Sequence, residues 1–106
     1  MGNYNLVFDE VILKQLKKLG KKVDLKNIVS RMLDKIEALG PHAGNLLDSR
    51  LKLYEVKVMR PPLRLYYKII ESKREAYVFE YEMKTSTEKQ QKSISRIKEK
   101  ATGSES

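Results

Sequence analysis

Leu51-Lys-Leu-Tyr-Glu-Val-Lys-Val-Met59, Leu63-Arg-Leu-Tyr-Tyr-Lys-Ile-Ile70 and Glu75-Ala-Tyr-Val-Phe-Glu-Tyr-Glu-Met83 decide how this chain is read. Each segment is rich in β-branched and aromatic residues and repeats with a period near two, the signature of a strand. Arg60-Pro61-Pro62 separates the first two segments, and two prolines cannot donate to a ladder, so that break is fixed. Ser72-Lys73-Arg74 separates the second and third. Connections this short join antiparallel neighbours, so the stretch predicts a three-strand meander.

Alternation sorts the side chains into two faces. Tyr54, Val56 and Val58 share one face with Leu63, Leu65, Tyr67 and Ile69, and with Tyr77, Phe79 and Tyr81. This apolar set is expected to cover the helices. The other face gathers Lys57, Arg64, Tyr66, Lys68 and Glu80, with Lys84 just beyond. It reads in two ways. It is an ordinary solvated sheet face with cross-strand charge pairs, such as Arg64 with Glu80. Or it is a basic, phenol-lined surface that holds a phosphodiester.

The flanking segments are helical. Asn3 to Phe8 reads as an edge strand, and Asp9 as the cap of a helix carrying Ile12, Leu16 and Leu19 at helical spacing. Gly20 is expected to end that helix in a left-handed conformation. Asp24 is the next cap candidate, before the stripe Leu25, Ile28, Val29, Met32, Ile36 and Leu39. Gly40-Pro41 stops the stripe, and the two helices should form an antiparallel hairpin. Ala43 to Asp48 reads as a connection. Ser86 to Ala101 reads as a last helix with a thin apolar stripe, Ile94, Ile97 and Ala101, and Thr102 to Ser106 as a disordered tail. The fold expected is α+β, with a strand and helical hairpin packed on a mainly antiparallel four-stranded sheet and a C-terminal helix. Residues 1–101 form its single domain.

Composition narrows the function. Zero cysteines exclude a disulfide framework, thiolate catalysis and cysteine-ligated zinc. A lone His42 cannot build a histidine-rich metal site, so no metal or cofactor is expected. No apolar run approaches the roughly 20 residues that span a bilayer. The N-terminal segment has neither the regions of a signal peptide nor a myristoylation pattern, and a cytoplasmic protein is expected. The net charge of +8, from 22 Lys+Arg against 14 Asp+Glu, attracts polyanions, whether nucleic acid or an acidic protein.

The order of elements and the strand sequences resemble the RelE/ParE toxin superfamily, including its HigB-type members. The carrying residues are Leu53-Tyr54-Glu55-Val56-Lys57 in the first meander strand and Arg64-Leu65-Tyr66-Tyr67 in the second. A third set is Phe79 through Lys84-Thr-Ser, leading to Glu88-Lys-Gln-Gln-Lys92. RelE- and HigB-like members are ribosome-dependent ribonucleases that cut messenger RNA and are silenced by an antitoxin. ParE-like members act on DNA gyrase. The resemblance therefore implies a toxin of a toxin–antitoxin system, with mRNA on the ribosome and a small acidic antitoxin as partners. DNA is contacted only through the antitoxin. The antitoxin is expected to cross the basic face or to displace the polar C-terminal helix. The chain departs from the pattern in having no tyrosine after Tyr81, and Glu80, Glu82 and Lys84 where cleaving members often place further Arg, His or Tyr.

RNA cleavage of this kind is metal-free attack of a 2′-hydroxyl on the adjacent phosphate, which needs a base, an acid and positive charge. Arg64 is the expected phosphate ligand, since a guanidinium binds oxygens in bidentate fashion. Lys57 and Lys84 add charge or move a proton, Tyr66 stacks or donates, and Glu80 is the expected base. Lys52, Arg60 and Lys68 are expected to hold the RNA backbone. Two alternatives stay open: a ParE-like protein-binding toxin, and a basic RNA-binding module without chemistry.

Overall fold

The computed structural model describes residues 3–83 and 86–103. The strand β1 (Asn5–Phe8) leads into the helix α1 (Glu10–Lys18), and α2 (Val23–Leu39) follows after one 3-10 turn, Leu19–Lys21. Then come β2 (Asn45–Asp48), β3 (Leu53–Val58), β4 (Leu63–Ile70), β5 (Glu75–Met83) and α3 (Thr87–Gly103). The strands form one sheet in the order β1-β5-β4-β3-β2. β2 to β5 pair antiparallel, and β1 lies parallel to β5.

Of the two aspartates expected as caps, only the one before α1 takes that place. Asp9 precedes α1 and accepts from the Val11 N–H at 3.0 Å. Gly20 does not take the left-handed conformation expected of it; the chain tightens into the 3-10 turn instead. Asp24 is not the cap of α2 either. It sits in the first turn, where its charge suits the positive end of the helix dipole, and Lys22 holds the cap position without a side-chain bond. Gly40 does end α2 at φ 53, and a β-carbon there would stand 2.2 Å from the Tyr4 ring. No larger residue fits.

The sheet has five strands where four were expected, because Asn45–Asp48 pairs with β3. Four residues with an apolar pair between Asn and Asp carry too little pattern to read as a strand. What permits it is Gly44: a β-carbon there would meet the Glu55 carbonyl oxygen at 2.1 Å. The glycine lets the backbone close onto β3 before the ladder starts.

The helical hairpin covers one face. Ile12, Val29, Met32 and Ile36 meet Val56, Leu63, Leu65, Tyr67, Ile69, Ala76 and Val78 in a buried cluster. The Tyr67 hydroxyl, deep in this layer, donates to the Gly40 carbonyl at 2.9 Å, so its one polar atom is satisfied.

β5 breaks strict alternation. Tyr66 pairs with Glu80 but Tyr67 pairs with Val78, so Phe79 is the extra residue of a bulge. Tyr77 and Phe79 therefore face away from the hairpin, where they pack with Leu51, Leu53, Tyr66, Ile97 and Ala101. Tyr81, beyond the bulge, returns to the hairpin side. The expected grouping of Tyr77, Phe79 and Tyr81 on one face is thus corrected by one inserted residue.

α3 lies across the polar face and buries Arg64, Tyr66, Lys68 and Glu80, while Lys57 stays exposed. The helix reaches Gly103, so Thr102 and Gly103 are helical where a tail was expected. Ser104 to Ser106 lie outside the described residues, as do Met1 and Gly2.

Candidate active site

Arg64, Tyr66 and Lys68 alternate with Leu63, Leu65, Tyr67 and Ile69 along β4, so they project from the face opposite the hairpin. The ladder sets their neighbours. Lys57, Arg64 and Glu82 form one cross-strand row, and Glu55, Tyr66 and Glu80 the next. Leu53, Lys68 and Tyr77 follow. Four expected site residues, Lys57, Arg64, Tyr66 and Glu80, thus come together in two adjacent rows.

The same rows contain carboxylates that claim them. The Arg64 Nη1 donates to Glu55 Oε1 at 2.5 Å, with both side chains 8% exposed. This pairing displaces the expected partnership of Arg64 with Glu80. The Tyr66 hydroxyl donates to Glu82 Oε1 in a short bond, and the Ser93 hydroxyl of α3 donates to Glu82 Oε2 at 2.6 Å. Arg96 of α3 reaches Glu80 Oε2 at 2.7 Å. Burial, the hydrogen bond to Glu82 and that carboxylate's charge hold the Tyr66 phenol far above its usual range. Tyr66 is therefore a neutral donor at any physiological pH.

Two buried atoms have no hydrogen-bond partner among the described residues: Arg64 Nε and Glu80 Oε1. They are a donor and an acceptor in neighbouring rows. Leaving either buried and unpaired costs about 1–3 kcal/mol, more when the group is charged. Unsatisfied groups of this kind ask for an explanation, and a substrate contact is one.

Among the remaining expected residues, Lys68 is fully buried, and its Nζ donates to the Ala101 carbonyl of α3 at 2.8 Å. It holds the helix and faces no solvent. Lys52 is exposed at φ 56 in the turn before β3, and Arg60 is exposed in the turn after it. They flank β3 and do not join the rows. Lys84 lies outside the described residues. His42 is exposed in the 3-10 turn after α2.

Sequence reasoning gave no place in the site to the residues that close this face: Glu55, Glu82, Ser93, Arg96 and Lys100. The Lys100 Nζ meets Asp9 Oδ2 at 3.0 Å, and the Tyr77 hydroxyl donates to Asp9 Oδ1 at 2.9 Å. Burial alone would raise the Asp9 carboxyl, but bonds from the Val11 N–H, Lys100 and Tyr77 outweigh it and hold it below its ordinary value. Burial and the bond to Asp9 push the Tyr77 phenol up to about 12. Lys98 pairs with Asp48 at 3.5 Å. The available signal was the spacing of Ser93, Arg96 and Lys100, which puts polar hands on one side of α3 beside Ile97. Among the described residues no group of three or more His, Cys, Asp or Glu could hold a metal ion.

No family model matches the sequence, and no curated protein is similar enough to match it. Solved structures do match the fold. The isolated E. coli RelE toxin superposes with a TM-score of 0.64 at 27% identity, over 89% of this chain and 98% of that one. A double arginine-to-alanine mutant of E. coli RelE in the free state gives 0.65 at 27% identity, over 92% and 99%. A chain of the intact E. coli RelBE toxin–antitoxin complex gives 0.62 at 27% identity, over 78% and 99%.

Proposed function

With a RelE-like fold of the RelE/ParE toxin superfamily as the premise, we propose that this chain is the toxin of a toxin–antitoxin system and cleaves messenger RNA on the ribosome. The observation that carries the reading is the unpartnered pair: Arg64 Nε and Glu80 Oε1, in adjacent rows of one sheet face. Arg64 keeps a donor for a phosphate oxygen while its Nη1 holds Glu55. Glu80 keeps an acceptor while its other oxygen holds Arg96.

In this mechanism Glu80 Oε1 takes the proton of the 2′-hydroxyl as its oxygen attacks phosphorus. Arg64 stabilises the charge that gathers on the phosphorane. The bond to the 5′ oxygen breaks, and Lys57, the exposed cross-strand partner of Arg64, returns a proton to it. The products are a 2′,3′-cyclic phosphate and a 5′-hydroxyl. Tyr66 donates as a neutral phenol, Lys84 adds charge, and Lys52, Arg60 and Lys68 hold the RNA backbone. Arg64, Tyr66, Lys68 and Glu80 are buried, so α3 must lift for RNA to reach them. The antitoxin is a small acidic protein that takes the place of α3 or crosses this face. The compartment is the cytoplasm, and no helix of the described residues is long and apolar enough to cross a membrane.

One observation favours a second reading. On this face the strands' own Lys57, Arg64 and Lys68 meet Glu55, Glu80 and Glu82, so the charges the sheet presents there cancel although the chain carries +8. A ParE-like toxin that binds gyrase needs no phosphate site and tolerates that cancellation. Regulated expression with primer extension on cellular messenger RNA separates the two. In-frame cuts inside translated regions are expected. Intact messages with DNA damage overturn the nuclease reading.

A further inference from the structure

Six lysines stand within thirteen residues around the tip of the helical hairpin. Lys14, Lys17 and Lys18 are on α1, Lys21 is in the 3-10 turn, and Lys22 and Lys26 are at the start of α2. All six are exposed. Lys14 pairs with Glu10 at 3.5 Å, and the other five have no ion pair among the described residues. Asp24 is the one carboxylate between Lys14 and Lys26.

The fold gains little from this crowding. Lys17 and Lys18 suit the negative end of α1. Lys22 and Lys26 sit instead at the positive end of α2, where a cation is unfavourable. The Lys26 N–H donates to the Lys22 carbonyl at 2.9 Å, which stacks these two like charges on one helical turn. Lys14 and Lys18 repeat that spacing on α1. A local rule broken without a local gain points to a function at the site. Two aliphatic side chains share the patch. Val23, the first residue of α2, is 62% exposed, and Leu13 is 51% exposed. Leu13 lines a shallow hollow with Glu10, Lys14 and Lys17. A β-carbon at Gly20 would meet nothing within 4 Å, so the turn has open space around it.

We propose that this tip rests on an anionic phospholipid surface, with its lysines on headgroup phosphates and Val23 at the acyl boundary. Lysine is a point charge on a four-carbon stem, so the stem lies along apolar surface while the ammonium reaches a phosphate. An exposed valine and leucine gain from a bilayer and gain nothing from a phosphodiester backbone. Nucleic acid is disfavoured on the same residues. From Leu13 to Lys26 there is no aromatic ring to stack a base and no arginine to fork onto a phosphate. The contact is peripheral: the lysines and the two aliphatics lie on the bilayer and do not span it. The hairpin covers the sheet face opposite α3, so the inference requires neither cleavage by Arg64 nor movement of α3.

The test mixes the full chain with phosphatidylcholine vesicles, with and without phosphatidylglycerol, and reads the fraction that sediments with them. Binding is expected only with phosphatidylglycerol, and it should weaken with salt. Lys17→Gln, Lys21→Gln and Lys22→Gln should each lower it about fivefold, and together about a hundredfold. The same change at Lys35, Lys73 and Lys89, three exposed lysines elsewhere, should lower it much less. Val23→Ser should lower it about threefold or more and leave the salt dependence as it was. The far-ultraviolet circular dichroism should be unchanged in every variant. Four results overturn the proposal. They are equal binding to vesicles without phosphatidylglycerol, equal loss from the two lysine sets, no effect of Val23→Ser, or tip lysines that govern binding of a duplex RNA oligonucleotide and not of the vesicles.

Discussion

The two faces of the sheet are built from the same strands and held by different physics. On the hairpin face, helices and strands meet through apolar side chains, and the deep hydroxyl of Tyr67 is tied to the Gly40 carbonyl. On the α3 face, a helix of 17 residues buries only Ile97 and Ala101 fully among its apolar side chains. Burying an isoleucine contributes roughly 1.5–3 kcal/mol, too little to fix so long a helix alone. Polar hands do the rest: Ser93 to Glu82, Arg96 to Glu80, Lys98 to Asp48, Lys100 to Asp9, and Lys68 to the Ala101 carbonyl. Apolar contact has no substitute in water. Each polar contact can be exchanged for water, for phosphate or for another protein at modest net cost. The hairpin side is held by apolar burial and the α3 side chiefly by polar contacts.

The largest effect tests whether the α3 face holds a working group. Arg64→Ala leaves Glu55 charged and buried, which should cost about 3–5 kcal/mol of stability. It should also lower cleavage or toxicity about 100-fold or more. The double change Arg64→Met with Glu55→Leu removes both charges and should recover most of the stability by chemical denaturation without recovering activity. Normal toxicity from either folded variant would rule out the role given to Arg64.

A second pair of variants asks whether the two layers come apart separately. Ile36→Ala on the hairpin side should lower global stability by about 2–5 kcal/mol, seen equally by all probes. Ile97→Ala should show first as faster hydrogen exchange in α3, with the Val29 and Tyr67 amides still protected. Equal loss of protection in both layers would dissolve the distinction.

The smallest effect is set by pH. The Asp9 carboxyl is held below its ordinary value of 3.8, so the stability it lends is present above that value and lost as pH falls through its lower folded value. The wild type should therefore protect α3 better than Asp9→Asn at neutral pH, by about 1 kcal/mol or less. The two proteins should converge in acid. A difference that grows as pH falls would contradict this linkage.

Patterns of short range were legible in the sequence. The helical stripe from Leu25 to Leu39, the stop at Gly40-Pro41, the cap at Asp9 and the three meander strands all follow from periods and breakers that act within a few residues. The RelE-like likeness rested on the same local patterns in order. Tertiary structure decided what depends on register. The bulge at Phe79 turned Tyr77 and Phe79 from the hairpin to α3, and no period inside β5 announces an extra residue. Gly44 made a strand of a connection only because the Glu55 carbonyl stands where its side chain would be. The partners of Arg64 and Glu80 were likewise hidden. Alternation states which face a charge shares, but the choice among several opposite charges depends on ångström-scale placement across strands and on a helix that arrives last in the chain.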